Sequence, residues 1–274
     1  MGLKTCVNVL LLSSFALFSE ETYVASCEPE CEVETCEVKE MRCELIHRFQ
    51  IGGNYTYAWV TPEGNSTTTG SLGGVQALYE YRPLNSIYAG AAFAWRQGTT
   101  DNDIGERKLQ DFNIQERLGY TFALSCDSAR LAPFTGIGVR YLPETVRISS
   151  SSVDFDYTEF YVPVGFLFEH EVNSTFSWGC NFQWMPQVFP LVRIQPLAGA
   201  RWDLTYQLNN FFVEVPFKIS ACDNHFSLIV APFFETWHDG ESTAKTDSLI
   251  VLELGLPKNK YIFTGVNVNL AYAF

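Results

Sequence analysis

The sequence has no run of 18 or more apolar residues, which excludes a membrane-spanning helix. Basic residues are scarce: 18 Lys and Arg stand against 31 Asp and Glu, a net charge of −13. Because nucleic-acid binding needs a basic surface, this charge argues against nucleic acid as a partner. Only 18% of the 274 residues are charged, whereas 47% are hydrophobic and 15% aromatic. Such a chain is too apolar to be disordered and must either bury a large core or meet lipid without a helix.

The first 26 residues have the pattern of an export signal. Lys4 supplies a positive charge, and Cys6–Phe18 is an apolar segment of secretory-signal length. The Val-Ala-Ser-Cys sequence at 24–27 then offers small residues for cleavage. We predict a signal peptide over residues 1–26 and a mature chain outside the cytoplasm. The same tetrapeptide resembles a bacterial lipobox, so lipidation of Cys27 is the alternative.

Residues 27–46 form a short segment dominated by glutamate and cysteine. Its four cysteines are Cys27, Cys31, Cys36 and Cys43. Zinc sites typically use paired C-x2-C spacings, which this segment lacks, so we expect no metal here. Cysteines of exported chains more often form disulfides, and we predict that outcome. A flexible acidic linker with incidental cysteines is the alternative.

From residue 47 onwards, apolar residues recur at every second position. In 49–59 the alternation is longer than the ~5–6 residues of a typical soluble strand, and it suits a tilted membrane strand of about 9–11 residues. Further segments repeat the pattern: 75–82, 87–96, 112–122, 131–141, 160–168 and 176–184. The polar connections alternate between long and short, which is typical of membrane barrels with long outer loops and short periplasmic turns.

The C-terminus carries the most specific pattern. The chain ends in an aromatic residue, and apolar residues precede it at every second position: Val266, Val268, Leu270, Tyr272 and Phe274. This ending resembles the assembly signal of bacterial outer-membrane β-barrel proteins, which the barrel-assembly machinery reads. The resemblance covers residues 47–274. It implies an all-β, antiparallel transmembrane barrel of the small OmpA-type or porin-like kind, integral to the outer membrane and surrounded by its lipid.

The number of strands is either ten or twelve. The apolar phase reverses at Asn209–Asn210, which is either a bulge within one descending strand or the turn of a hairpin. A bulge gives ten strands. A hairpin, together with a strand over 248–256, gives twelve, and both totals are even. We predict ten strands, with twelve as the alternative.

Charged residues on the polar face of the strands are predicted to point into the lumen. They are Arg48, Glu80, Arg82, Arg96, Arg117, Arg140, Glu159, Arg201 and Asp203, with Glu214 and Lys218. Charges in a narrow lumen must be paired or hydrated. The pattern therefore predicts either a filled, ion-paired interior, which is common in small barrels, or a narrow aqueous pore whose charges set selectivity.

Most of the cysteines of the mature chain are predicted to lie on the periplasmic side of the membrane. Cys126 and Cys222 fall in two similar turns that we place on the periplasmic side. The four N-terminal cysteines are placed on the same side, whereas Cys180 falls on a lipid-facing position. This abundance is similar to envelope proteins of chlamydia-like bacteria, and that resemblance implies disulfide links within the barrel or to neighbouring envelope proteins.

We therefore expect a porin-like or structural outer-membrane barrel. The alternative is an adhesin or binding barrel that acts through its outer loops at 61–70, 98–107, 143–152 and 238–247. A remote alternative is a rim protease similar to the omptins.

The protease alternative rests on acidic residues and a histidine in two predicted outer loops. Asp101 and Asp103 occupy one loop, His238 and Asp239 the other, and Asp154 and Asp156 form a second acidic pair. Such groups activate water only if they converge within hydrogen-bond reach. The sequence contains no Ser-His-Asp motif, P-loop or nucleotide fingerprint. We expect no enzyme activity and no cofactor.

The cysteine distribution generates the first testable prediction. Non-reducing electrophoresis of intact envelopes, with free thiols alkylated beforehand, should show species that collapse to the monomer when reductant is added. The control is the same chain with its six predicted periplasmic cysteines changed to serine. A monomer band unaffected by reductant, with all thiols open to alkylation, would rule out the disulfide hypothesis.

Overall fold

The computed structural model describes residues 46–124, 128–148, 151–195, 201–221, 225–246 and 255–274. The signal peptide, the four cysteines of the N-terminal segment, Cys126, Cys222 and most of 248–256 lie outside these residues. The disulfide, linker and lipidation hypotheses therefore stay predictions. Within the described part of the chain, no helix is long and apolar enough to cross a bilayer.

Ten antiparallel strands make up the described fold, and four of them are interrupted. They are β1 (His47–Pro62), β2 (Thr68–Tyr81), β3 (Ser86–Asp101), β4 (Gly105–Leu124), β5 (Ala129–Ile148), β6 (Ser151–Tyr161 and Val164–Glu171), β7 (Phe176–Trp184 and Gln187–Gln195), β8 (Arg201–Leu204, Phe211–Glu214 and Phe217–Ser220), β9 (Phe226–Asp239 and Ser242–Thr246) and β10 (Asn259–Ala273). Alternating apolar and polar residues along them favour extended pairing in which one face meets lipid.

The strands close into a barrel. Each strand pairs with its neighbours in sequence, and β1 also pairs with β10, where Phe49 lies opposite Tyr272. The twelve-strand alternative is wrong, because Asn209–Asn210 is not a hairpin turn. The chain continues down β8 alongside β7, and the Met185 amide donates to the Asn210 carbonyl at 2.8 Å. The predicted ten-stranded barrel is confirmed.

Proline explains three of the strand interruptions. Pro163 separates the two parts of β6, Pro186 those of β7, and Pro216 the lower parts of β8. Proline has no N–H to donate to a neighbouring strand, so the ladder is broken at each of these positions. The pairing resumes on both sides, and the barrel wall remains continuous.

Each strand presents one face outward and the other to the interior. On β10, Leu270 and Tyr272 are exposed on the outer surface, whereas Asn267 and Asn269 are buried inside. The half-buried Val266 shares the outward phase with them. The start of β1 and the end of β10 lie side by side at one end of the barrel. We take that end as periplasmic and the other as extracellular, as the resemblance to outer-membrane barrels implies. The predicted long connection at 98–107 is wrong, because β3 continues to Asp101 and β4 begins at Gly105.

The interior consists of two different halves. Large side chains fill the extracellular half, and we call this cluster the apolar plug: Ala58, Val60, Leu72, Leu109, Leu142, Tyr157, Tyr161, Met185, Val192, Ile194, Trp202, Leu204, Phe233, Trp237, Tyr261 and Phe263. The periplasmic half is lined mainly by charged residues and carboxamides. The barrel therefore has an apolar core in its extracellular half, whereas the other half combines charged residues and carboxamides with smaller apolar clusters.

The plug overturns one part of the lumen assignment. Arg201 and Asp203 were expected inside, but they point outward with 44% and 66% of their side chains exposed. Trp202 and Leu204, between and beside them, are buried in the plug. The alternation rule assigns apolar residues to the lipid-facing side, whereas near the top of β8 they face an apolar interior.

Candidate functional site

A closed ring of ion pairs crosses the interior near its middle. Arg96 of β3, Asp111 of β4, Arg140 of β5 and Glu235 of β9 form this ring, which we call the ion ring. Arg140 donates to Asp111 from Nε and Nη2 at 2.9 and 2.7 Å, and to Glu235 from Nη1 at 2.6 Å. Arg96 donates to the same two carboxylates, at 2.7 Å each. All four residues are buried, and reciprocal pairing compensates charges that would be costly to bury alone.

Aromatic rings of the plug pack directly on the ion ring. The guanidinium of Arg96 lies 3.9 Å from the centroid of Phe263, and that of Arg140 lies 4.4 Å from the centroid of Trp237. Tyr161 meets Trp237 edge-on at 5.4 Å. These cation–π contacts cover the faces of both guanidinium groups, whose edges bind the carboxylates. The plug and the ion ring thus form one packed layer.

Two of the carboxylates that are buried within the plug itself are hydrogen-bonded to neighbouring side chains. Glu159 accepts a hydrogen bond from the Trp237 indole and another from Gln187 at 2.8 Å. Glu144 pairs with Arg107 and accepts from the Tyr261 hydroxyl at 3.0 Å. Each carboxylate is bound by groups from other strands, so these contacts also tie the barrel wall together.

A second charged cluster lies near the periplasmic end. Glu80 pairs with Arg48 at 2.5 Å. Glu169 binds Arg82 and lies 2.6 Å from the Lys218 ammonium and 3.5 Å from Arg48. The side chains of Arg48 and Lys218 are each 21% exposed, so this cluster reaches solvent at the periplasmic end.

A cavity of about 180 Å³ lies between the ion ring and the periplasmic cluster. Carboxamides line its wall, and several bond in sequence: Gln115 donates to Gln183 at 2.9 Å, Gln183 to Asn181 at 3.2 Å, and Asn181 to Glu214 at 3.3 Å. Asn267 donates to the other oxygen of Glu214 at 2.7 Å. Part of the cavity wall is therefore polar, beside apolar side chains such as Leu167 and Phe233.

The charges expected in the lumen divide among these layers. Arg96 and Arg140 belong to the ion ring, Glu159 to the plug, and Arg117 to the cavity wall. The periplasmic cluster brings together Arg48, Glu80, Arg82 and Lys218. Glu214 lies in the cavity wall, and only Arg201 and Asp203 lie on the outer surface.

The structure does not bring together the histidine and the adjacent aspartate on which the protease alternative rests. Asp239 is fully buried inside, whereas His238 points to the opposite side of the wall, since successive strand residues face opposite ways. The His238 ring lies 3.2 Å from the Asn210 side-chain oxygen. Asp103 is exposed in the turn between β3 and β4. His238 and Asp239 therefore cannot act as one pair.

Sequence reasoning missed several inward-facing carboxylates, Glu144 among them, and the aromatic plug. Asp111 points inward like Arg117 on the same strand, Glu169 like Tyr161, and Glu235 like Trp237. Consistent use of the alternation therefore places all three carboxylates inside. Their partners lie on other strands, and Glu235 reaches across the lumen. Pairing of that kind leaves no local signal in the sequence.

Comparison with known proteins agrees with this architecture. The family described as outer membrane protein beta-barrel domain matches residues 40–185, which is more than half of the chain. The chain belongs to this family. It is therefore an integral outer-membrane β-barrel protein. No curated protein sequence matches the chain.

Solved structures of outer-membrane proteins match the chain at low identity. The outer membrane protease OmpT of Escherichia coli is 12% identical, with a TM-score of 0.53 over 83% of this chain and 96% of that one. The toluene transporter TodX of Pseudomonas putida is 8% identical over 85% and 91% of the chains, with a TM-score of 0.38. Ail, the attachment invasion locus protein of Yersinia pestis, is 11% identical over 81% of this chain and 97% of that one, with a TM-score of 0.31. At these identities the OmpT likeness concerns the fold alone.

The ion ring generates a stability prediction. Arg140→Gln should lower the free energy of unfolding by about 3–5 kcal/mol, because Asp111 and Glu235 would each lose a buried partner. Chemical unfolding in detergent micelles measures the change.

The matched control is Arg147→Gln on the same strand. Arg147 is 52% exposed and lies 3.7 Å from Glu106, so its loss should change stability by less than about 1 kcal/mol. Equal losses from the two variants would show that the ion ring does not hold the barrel together.

Proposed function

We propose that this outer-membrane barrel has a structural role and is closed to solutes. The observation that carries the proposal is the packed layer of the ion ring and the apolar plug, which fills the interior between the polar cavity and the extracellular end. A porin needs an aqueous lumen, whereas fully buried Trp202, Trp237 and Arg140 occupy this one.

The proposal includes a link to the rest of the envelope. The first residues of β1 and the last residues of β10 lie side by side at the periplasmic end, where the His47 amide donates to the Phe274 carbonyl at 3.0 Å. The cysteine-rich segment precedes β1 directly in the sequence. Disulfides of that segment would connect the barrel to periplasmic or neighbouring envelope proteins, and the closed interior would supply a rigid anchor.

We propose no enzymatic role. The separation of His238 from Asp239 on opposite faces of β9 supports this view, since general-base activation of water needs both within hydrogen-bond reach. The fold likeness to OmpT does not change the argument, because at 12% identity it carries no catalytic residue across.

A surface-binding role is the second candidate function, and the length of two strands favours it. The β4 and β5 strands have 20 residues each, about twice the 9–11 that a membrane strand needs. The outward face of β4 changes along the strand: Leu118 and Tyr120 are exposed near the periplasmic end, whereas Lys108 and Gln110 are exposed near the other. The polar upper part would stand clear of the lipid and offer a surface to a partner.

The closed interior makes a prediction about conductance. The folded chain in planar lipid bilayers should give no stable single-channel steps, because the plug and ion ring leave no water-filled path. Ion current at fixed voltage measures this. Regular, voltage-stable openings of the wild-type chain would contradict the structural proposal and favour the porin-like alternative.

Two variants complete the experiment. Trp237→Ala/Phe263→Ala removes the rings that cover the ion ring and should produce leak current from the folded fraction. Trp184→Ala/Phe211→Ala removes equally large side chains from the outer surface and should stay silent. If both variants conduct alike, the leak does not come from opening the plug.

A further inference from the structure

Arg117, in the cavity wall, differs from the arginines of the ion ring and of the periplasmic cluster. It is 8% exposed, and its Nε and Nη1 atoms have no hydrogen-bond partner among the described residues. Its guanidinium lies 5.0 Å from the centroid of the Phe134 ring, which supports one of its faces. The side chain lines the polar cavity, so a buried cation with unused donors is directed into an enclosed space. Buried donors of this kind are costly unless something accepts from them.

The charge count of the cavity agrees with the hydrogen bonding. The ion ring above it is neutral, with two arginines and two carboxylates. Between the ring and the periplasmic end, the cavity is lined by Arg48, Arg82, Arg117 and Lys218 against Glu80, Glu169 and Glu214. Four positive charges thus face three negative ones. Glu80 and Glu169 contact the other cations, and Glu214 is bound by carboxamides. Among the residues that the structure describes, no carboxylate is therefore in contact with Arg117.

We propose that the cavity binds one small oxyanion, a carboxylate or a phosphate, with Arg117 as its principal ligand. The anion would balance the excess positive charge and accept from the two unused guanidinium donors. Gln115, two residues away on the same face of β4, has a second amide hydrogen to offer beside the one it gives Gln183.

Size and access limit the ligand. A cavity of about 180 Å³ is smaller than the ~300–1,000 Å³ of typical ligand pockets, so it takes only a small solute. The plug closes the extracellular side, whereas Arg48 and Lys218 reach solvent at the other end. The anion therefore enters from the periplasm. This site is independent of whether the barrel serves a structural or a surface-binding role.

The test is equilibrium dialysis of radiolabelled acetate and, separately, inorganic phosphate against the folded full-length chain in detergent. Ionic strength is held constant with a bulky sulfonate that cannot enter the cavity. We expect one of the two anions to bind saturably at one per barrel, and the arm that binds identifies the ligand as carboxylate or phosphate. Saturable binding of neither anion to the wild-type chain would overturn the proposal.

Variants assign the binding to Arg117. Arg117→Gln should weaken it at least about tenfold, the loss expected for hydrogen bonds to a charged group. Should Arg117→Gln fail to fold, Gln115→Glu provides the same test, because a nearly isosteric carboxylate beside Arg117 would replace the anion and abolish binding. Arg147→Gln, an exposed arginine on the next strand, is the control and should bind as the wild type does. Unchanged affinity in the folded Arg117→Gln or Gln115→Glu chain would contradict the assignment.

Discussion

The ion ring of Arg96, Asp111, Arg140 and Glu235 is the interaction on which the rest of the barrel depends. Three of its members come from consecutive strands, while Glu235 comes from β9 on the other side of the lumen. The ring therefore fixes the distance between opposite walls as well as satisfying four buried charges. Strand pairing alone closes a cylinder, but it does not determine how that cylinder is filled.

The ring also separates two kinds of interior. Above it, aromatic side chains cover the guanidinium faces and join an apolar core that resembles that of a soluble protein. Below it, carboxamides and ion pairs line a small polar cavity that reaches the periplasmic end. Because the outer surface meets lipid, the polar residues of each strand face the interior. The plug shows that apolar residues can face the interior as well.

Much of the fold was predictable because the outward face follows one rule. Lipid demands apolar residues, so alternation located most strands and the outward phase of Leu270 and Tyr272. The same rule failed for Arg201 and Asp203, since Trp202 faces an apolar interior rather than lipid. The partners within the ion ring were not predictable either, because Arg96 and Glu235 are brought together only by closure of the barrel.

The central claim is that the interior is sealed toward the outside and open toward the periplasm. Gln115→Cys places a thiol in the polar cavity, and Leu142→Cys places one in the plug. A small charged methanethiosulfonate, which a cavity of about 180 Å³ can admit, is added to vesicles that contain only this chain with its extracellular end outward. Modification at each position is measured by mass spectrometry before and after the vesicles are opened. The account predicts that position 115 reacts only after opening and that position 142 stays unreactive throughout. Rapid modification of position 115 in intact vesicles would contradict it.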